Sequence, residues 1–119
     1  KPHRFFRRRD NDIILDLDIN IAQAALGAEV TIPTLDGEET LKIPAGIQPG
    51  KVLRVRNKGV PYLRGGGRGD QMVVVNIAIP KSLTQEQRTL FEQLARIMGS
   101  EVKPQERSFL DWLKETIGG

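Results

Sequence analysis

The chain changes its hydrophobic period once, near Pro80-Lys81, and that switch constrains its fold more than any other feature. Before it, apolar residues recur at every second position; after it, at every third or fourth. In "DIILDLDINI" (Asp12 to Ile21), Ile13, Leu15, Leu17, Ile19 and Ile21 fall on one face, and Asp16, Asp18 and Asn20 on the other. A period of two makes this a half-buried strand with one wet face. The aspartates share that wet face, where they serve solubility rather than metal binding or hydrolysis.

Further strand patterns follow, separated by turn residues. "AQAALG" predicts one or two helical turns closed by Gly27. "AEVTIP" (Ala28 to Pro33) predicts a strand whose ladder Pro33 ends. Asp36-Gly37 is a tight-hairpin signature, and "EETLKIP" (Glu38 to Pro44) returns with Leu41 and Ile43 inward. After a turn held by Gly46, Pro49 and Gly50, "VLRVRNKG" sets Leu53 and Val55 against Arg54 and Arg56. In the last strand Val73, Val75, Ile77 and Ile79 share one face, and Met72, Val74, Asn76 and Ala78 form a second, mostly apolar face. A strand apolar on both sides belongs in the middle of a sheet. Residues 1–81 therefore read as a small antiparallel two-layer β domain of about five strands with one short internal helix. The fold class is mainly β with C-terminal helices.

Residues 82–119 form the helical tail. In "SLTQEQRTLFEQLARIMG", Thr84 and Gln87 have the spacing of a capping box, Leu90, Phe91 and Leu94 recur at helical spacing, and Gly99 ends the pattern. "SFLDWLKETIGG" repeats the logic with Ser108 as cap and Phe109, Leu110, Trp112, Leu113 and Ile117 as its apolar stripe. A helix this short is unstable alone and must bury that stripe against its own sheet or a second subunit. The residues admit either. Aromatic side chains favour interface cores, and the expected homodimer interface is Leu90, Phe91, Leu94, Phe109, Trp112, Leu113 and Ile117.

Little here is suited to catalysis. There is no cysteine and one histidine, His3, read as an exposed or packing residue. Ser82, Ser100 and Ser108 lie at helix starts or in a linker, so the chain is not expected to be an enzyme. No zinc spacing is present. Hydrophobic residues make up 39% and charged residues 28%, a globular balance, with no run long enough to span a bilayer. The net charge of +3 is concentrated in Lys1, Arg4, Arg7, Arg8 and Arg9 and in Arg54, Arg56, Lys58, Arg64 and Arg68. With "RGGGRG" these clusters raise nucleic-acid binding as an alternative function. Tyr62 alone supplies stacking there, which makes nucleic acid an unlikely partner. "RGGGRG" also lacks the ending and following helix of a phosphate loop, and Arg68-Gly69-Asp70 is only a three-residue match to an adhesion motif. A purely structural dimerisation spacer is a third reading. The chain opens Lys1-Pro2 without methionine, as expected of a piece of a longer protein.

Five groups of residues, in order, then resemble one family. They are Ala25-Leu26-Gly27, Pro33-Thr34-Leu35-Asp36-Gly37, Ile43-Pro44-Ala45-Gly46, Lys58-Gly59-Val60-Pro61 and Gly69-Asp70, preceded by "HRFFRRRDNDI". Together they resemble the second C-terminal β domain of the DnaJ/Hsp40 co-chaperones over roughly residues 3 to 95. Ile47 and Asn57 depart from the pattern, where threonine and glycine are usual. Asn57 tolerates a left-handed backbone; Ile47 lacks the hydroxyl that would bond within the turn.

The resemblance implies a module that binds unfolded polypeptides, homodimerises, and serves Hsp70 through the full-length protein in the cytoplasm. It implies no cofactor in this fragment, although the parent could carry a zinc region. The family's J domain is absent from these residues. Strand edges and neighbouring apolar side chains suit extended peptides, and the expected client-contact face is Ile13, Leu15, Leu17, Val30 and Ile32. Gly37, Gly46, Gly50, Gly59, Gly65, Gly66, Gly67 and Gly69 are expected to form turns.

Overall fold

Alternation in the first eighty residues builds two small sheets with the apolar faces between them. The structure, a computed structural model, describes residues 4–106 and 108–118. The chain divides into two compact units, Lys1–Lys81 and Ser82–Gly119.

In the first unit, β1 (Phe6–Arg9) and β2 (Asp12–Asn20) form a hairpin. Asp10 takes a left-handed conformation at its turn, with φ 55°. β1 has no alternating apolar pattern; only Phe6 faces inward, and Arg7 pairs with Asp16 at 3.0 Å on the outer face. A capping box then opens α1 (Ile21–Leu26): the Asn20 side chain accepts from Gln23 N at 2.7 Å, and Asn20 N donates to Gln23 Oε1 at 2.9 Å. β3 (Ala28–Thr34) and β4 (Gly37–Ile43) form the second sheet. Pro33 does not end its ladder but sits opposite Glu38, since a two-stranded sheet leaves proline's missing N–H on an open edge. The buried Thr34 hydroxyl fixes the turn, donating to Gly37 O at 2.8 Å and accepting from Asp36 N at 3.1 Å.

β5 (Val52–Val55) and β6 (Gln71–Ala78) complete the larger sheet, in the order β1-β2-β6-β5. The central place of β6 agrees with its two apolar faces. The mode of pairing differs from expectation: β2 and β6 run parallel, in register from Ile13–Gln71 to Asn20–Ala78, while the other three pairs are antiparallel. A parallel pair needs a long crossover, and α1, the β3–β4 hairpin and β5 supply it. With β1, the described residues contain six strands rather than about five.

The core lies between the sheets. Ile13, Leu15, Ile19, Val73 and Val75 come from the larger sheet, and Ile32, Leu41 and Ile43 from the smaller, joined by Phe6, Ala24 and Ile47. Fully burying one such side chain contributes about 1.5–3 kcal/mol. Ile47 thus exchanges a turn hydroxyl for core packing. Gly46 N to Ala24 O at 2.8 Å and Gln48 Nε2 to Gly46 O at 3.0 Å hold its turn.

In the second unit, α2 (Gln85–Met98) starts on the expected capping box, with Gln87 N donating to Thr84 Oγ1 at 3.1 Å and Thr84 N to Gln87 Oε1 at 2.9 Å. α3 (Phe109–Gly118) starts at Ser108, whose hydroxyl accepts from Asp111 N at 3.1 Å.

Candidate functional site

The glycine-rich loop is a scaffold tied at its base. Pro61 bridges to Arg68, and Tyr62 N donates to Gly67 O at 3.1 Å. Gly65 and Gly67 take φ of 77° and 94°, the left-handed region where glycine is favoured. Gly59 and Gly69 act differently. Both are buried, and a β-carbon on either would collide with the backbone around Asn11. Their role is close approach: Val60 N donates to Asn11 O at 2.7 Å, and Gly59 N to Gly69 O at 2.8 Å. Gly66 meets neither condition. Asn57, as expected, is left-handed, with φ 62°.

Arg68-Gly69-Asp70 is held from within. Arg68 donates to Asp36 Oδ2 and to Gly59 O, both at 2.8 Å. Asp70 accepts from Asn57 N at 2.9 Å and lies 3.5 Å from Arg54. Neither charged group is free to bind an adhesion receptor in this conformation. Of the loop's cations, Lys58 lies 3.7 Å from Glu39 and 4.0 Å from Asp36.

The residues expected as a client-contact face lie at different depths. Ile13, Leu15 and Ile32 are 3%, 4% and 0% exposed: their apolar face is the one on which the two sheets close. Leu17 and Val30 are half-buried at the rim of that core. Leu17 has a further distinction. β1 covers β2 only from Asp12 to Leu15, so among the described residues no strand pairs with Asp16–Asn20 on that edge. Sequence periodicity identifies an inward face but not where a neighbouring strand stops.

The outer face of the larger sheet brings together one residue from each basic cluster. Arg9 from β1 and Arg54 from β5 line one shallow depression of about 400 Å³, floored by Ile14, Met72 and Val74. Asp10 and Asp12 line it too, so the surface carries both signs of charge rather than a uniformly basic track for nucleic acid.

The expected dimer residues lie on the two helices of the second unit. No described residue of α2 is buried: Leu90 and Leu94 are 58% and 45% exposed, and Phe91 is half-buried. Trp112 is 51% exposed and Leu113 half-buried. Phe109 and Ile117 belong to α3, but their side chains lie outside the described residues, as does His3. Among the described residues no three His, Cys, Asp or Glu side chains gather as metal ligands, and no helix is long and apolar enough to cross a membrane.

The two-layer β unit, with its one parallel strand pair, is followed in the sequence by two helices. The DnaJ C terminal domain matches residues 1–80, and the Chaperone protein DnaJ C-terminal region matches residues 86–119. The chain belongs to the DnaJ C-terminal domain family. Chaperone protein DnaJ of Roseiflexus sp. strain RS-1 is 53% identical over 120 residues, covering 99% of this chain and 32% of that protein. Chaperone protein DnaJ of Acetivibrio thermocellus is 45% identical over 118 residues, covering 99% and 31%. The chain thus spans about a third of the length of the curated relatives it matches.

Proposed function

We propose that this chain is a non-catalytic module of a DnaJ/Hsp40 co-chaperone that binds unfolded polypeptide through its β unit and dimerises through its helices. In the whole protein it would hold clients for delivery to an Hsp70 in the cytoplasm. No cofactor is assigned to the module itself.

The observation that carries the client reading is the end of β1 at Phe6, which among the described residues leaves Asp16–Asn20 unpaired on the β2 edge away from β6, beside the half-buried Leu17. An extended segment can add to such an edge, with backbone hydrogen bonds giving affinity and apolar contacts giving mild preference. Val30, at the rim of the same core, offers a second contact. For dimerisation, the support is α2: fourteen residues, capped at both ends, with an apolar stripe in which Leu90 and Leu94 are exposed and Phe91 half-buried among the described residues. A second copy is the partner proposed for that stripe.

The test is amide NMR of the full chain titrated with an unfolded apolar peptide. Shifts should cluster on Asp16–Asn20 and Val30. Shifts scattered over the surface, or none at millimolar peptide, would sink the client reading. Sedimentation equilibrium from about 1 to 500 µM separately tests the dimer, which a strict monomer would exclude.

A further inference from the structure

The two sheets share no backbone ladder, so the β3–β4 hairpin rests on the larger sheet through side chains. Its two ends are secured differently. At the end where the chain enters and leaves, Ile43 is 1% exposed, Ala24 is 5% exposed, and Gly46 N bonds to Ala24 O at 2.8 Å. At the turn end the ties are polar. Arg68 Nη1 reaches Asp36 Oδ2 at 2.8 Å, and Lys58 Nζ lies 3.7 Å from Glu39 and 4.0 Å from Asp36.

Beside this polar end sits a buried amide. Gln71 is 0% exposed; its Nε2 donates to Pro33 O at 2.9 Å, across the gap between the sheets, while its Oε1 has no hydrogen-bond partner among the described residues. A buried acceptor without a donor disfavours the closed arrangement, because water would satisfy it. The ion pairs at Asp36 oppose that tendency. They are half-exposed, with side-chain exposures of 24% for Arg68, 29% for Lys58 and 48% for Asp36, so salt weakens them.

We infer that Asp36, Arg68 and Lys58 form an ionic latch over the turn end of the hairpin. Its release lets residues 33–39 lift from the facing loop, which stays tied to Asn11, and admits water to Gln71. The opening is local. β2 and β6 stay paired, since Val73 and Val75 are fully buried between flanking strands, and local openings with their own free energy are ordinary in native proteins. The inference stands apart from the client reading, because it is tested without any client.

The experiment is residue-resolved hydrogen exchange on the full chain, as wild type in low and high salt and as Asp36→Asn. That substitution removes the charge but keeps the Asp36 backbone donor to Thr34. The latch predicts that amides in 34–39 exchange about three- to five-fold faster in Asp36→Asn, the scale of losing partly exposed ion pairs, while Val60 and Gly69, whose amides bond to Asn11 O and Val60 O, stay unchanged. In wild type, high salt should accelerate the same segment and leave Val73 and Val75 unchanged. Asp36→Glu should recover part of the protection. Unchanged exchange in 34–39, or acceleration spread equally over β2 and β6, would overturn the latch. Should Asp36→Asn fail to fold, the wild-type salt comparison decides alone.

Discussion

Replacing Gly69 by alanine separates two reasons for glycine within one run. A β-carbon at Gly69 would strike the Asn11 carbonyl and lie 2.8 Å from Asp12 Oδ1. Neither obstacle is a loose side-chain end. The Asn11 carbonyl accepts from Val60 N at 2.7 Å, and Asp12 Oδ1 accepts from Asp70 N at 2.7 Å. Making room means moving the β1–β2 turn away from the loop, which also strains Ile13 N to Asp70 O at 3.0 Å. Losing two or three such bonds, at about 1 kcal/mol each, with about 1–3 kcal/mol of overpacking, gives about 3–6 kcal/mol. That is a large share of the roughly 5–15 kcal/mol that holds a domain folded. Gly66→Ala is the control: its β-carbon meets nothing within 4 Å and its φ is not left-handed. It should be neutral or stabilise by about 0.4–1 kcal/mol through the unfolded chain. Urea unfolding should be followed by the amide signals of Val73 and Val75, because the sole tryptophan, Trp112, lies in the second unit. Gly69→Ala within about 1 kcal/mol of Gly66→Ala would refute the close-approach argument.

Four further outcomes are expected. Ile32→Ala, at a fully buried site, should cost about 2–5 kcal/mol in the same assay. Thr84→Ala should destabilise the first turn of α2 by about 1 kcal/mol, read as reduced helical carbon shifts at residues 85–87. Leu90→Asp with Leu94→Asp should leave the β-unit spectrum intact and lower the mass at high concentration to that of a monomer; an undiminished dimer would place the interface elsewhere. Leu17→Asp should weaken unfolded-peptide binding about tenfold, the scale of losing one apolar contact, with the chain still folded.

What the sequence made legible was local. The alternation from Ile13 to Ile19, the Asp36-Gly37 hairpin and the Thr84–Gln87 capping box each depend on residues within a few positions, and each appears as read. The parallel pairing of β2 with β6 was not legible, because period two marks a strand's faces and says nothing about which neighbour lies beside it or in which direction. β1 was missed for another reason: Phe6-Arg7-Arg8-Arg9 carries no alternation, and its strand conformation comes from pairing with β2. Periodicity found the apolar side of Ile13, Leu15 and Ile32, which is the core, and gave no sign that among the described residues the β2 edge beside Leu17 lacks a strand on the β1 side. Gln71 offered no signal, since a glutamine at a strand start is ordinarily solvated.

The parallel pair has a consequence in time. Asp12 and Asp70, which meet at the start of that pair, are separated by 58 positions. At synthesis rates of about 5–20 residues per second, β2 leaves the ribosome roughly 3–12 s before β6 exists. Through that interval the newborn chain carries Ile13, Leu15, Leu17 and Ile19 on an amphipathic strand whose central neighbour has not been made. During its own birth, then, this module passes through an unfolded, amphipathic state of the kind proposed as its ligand.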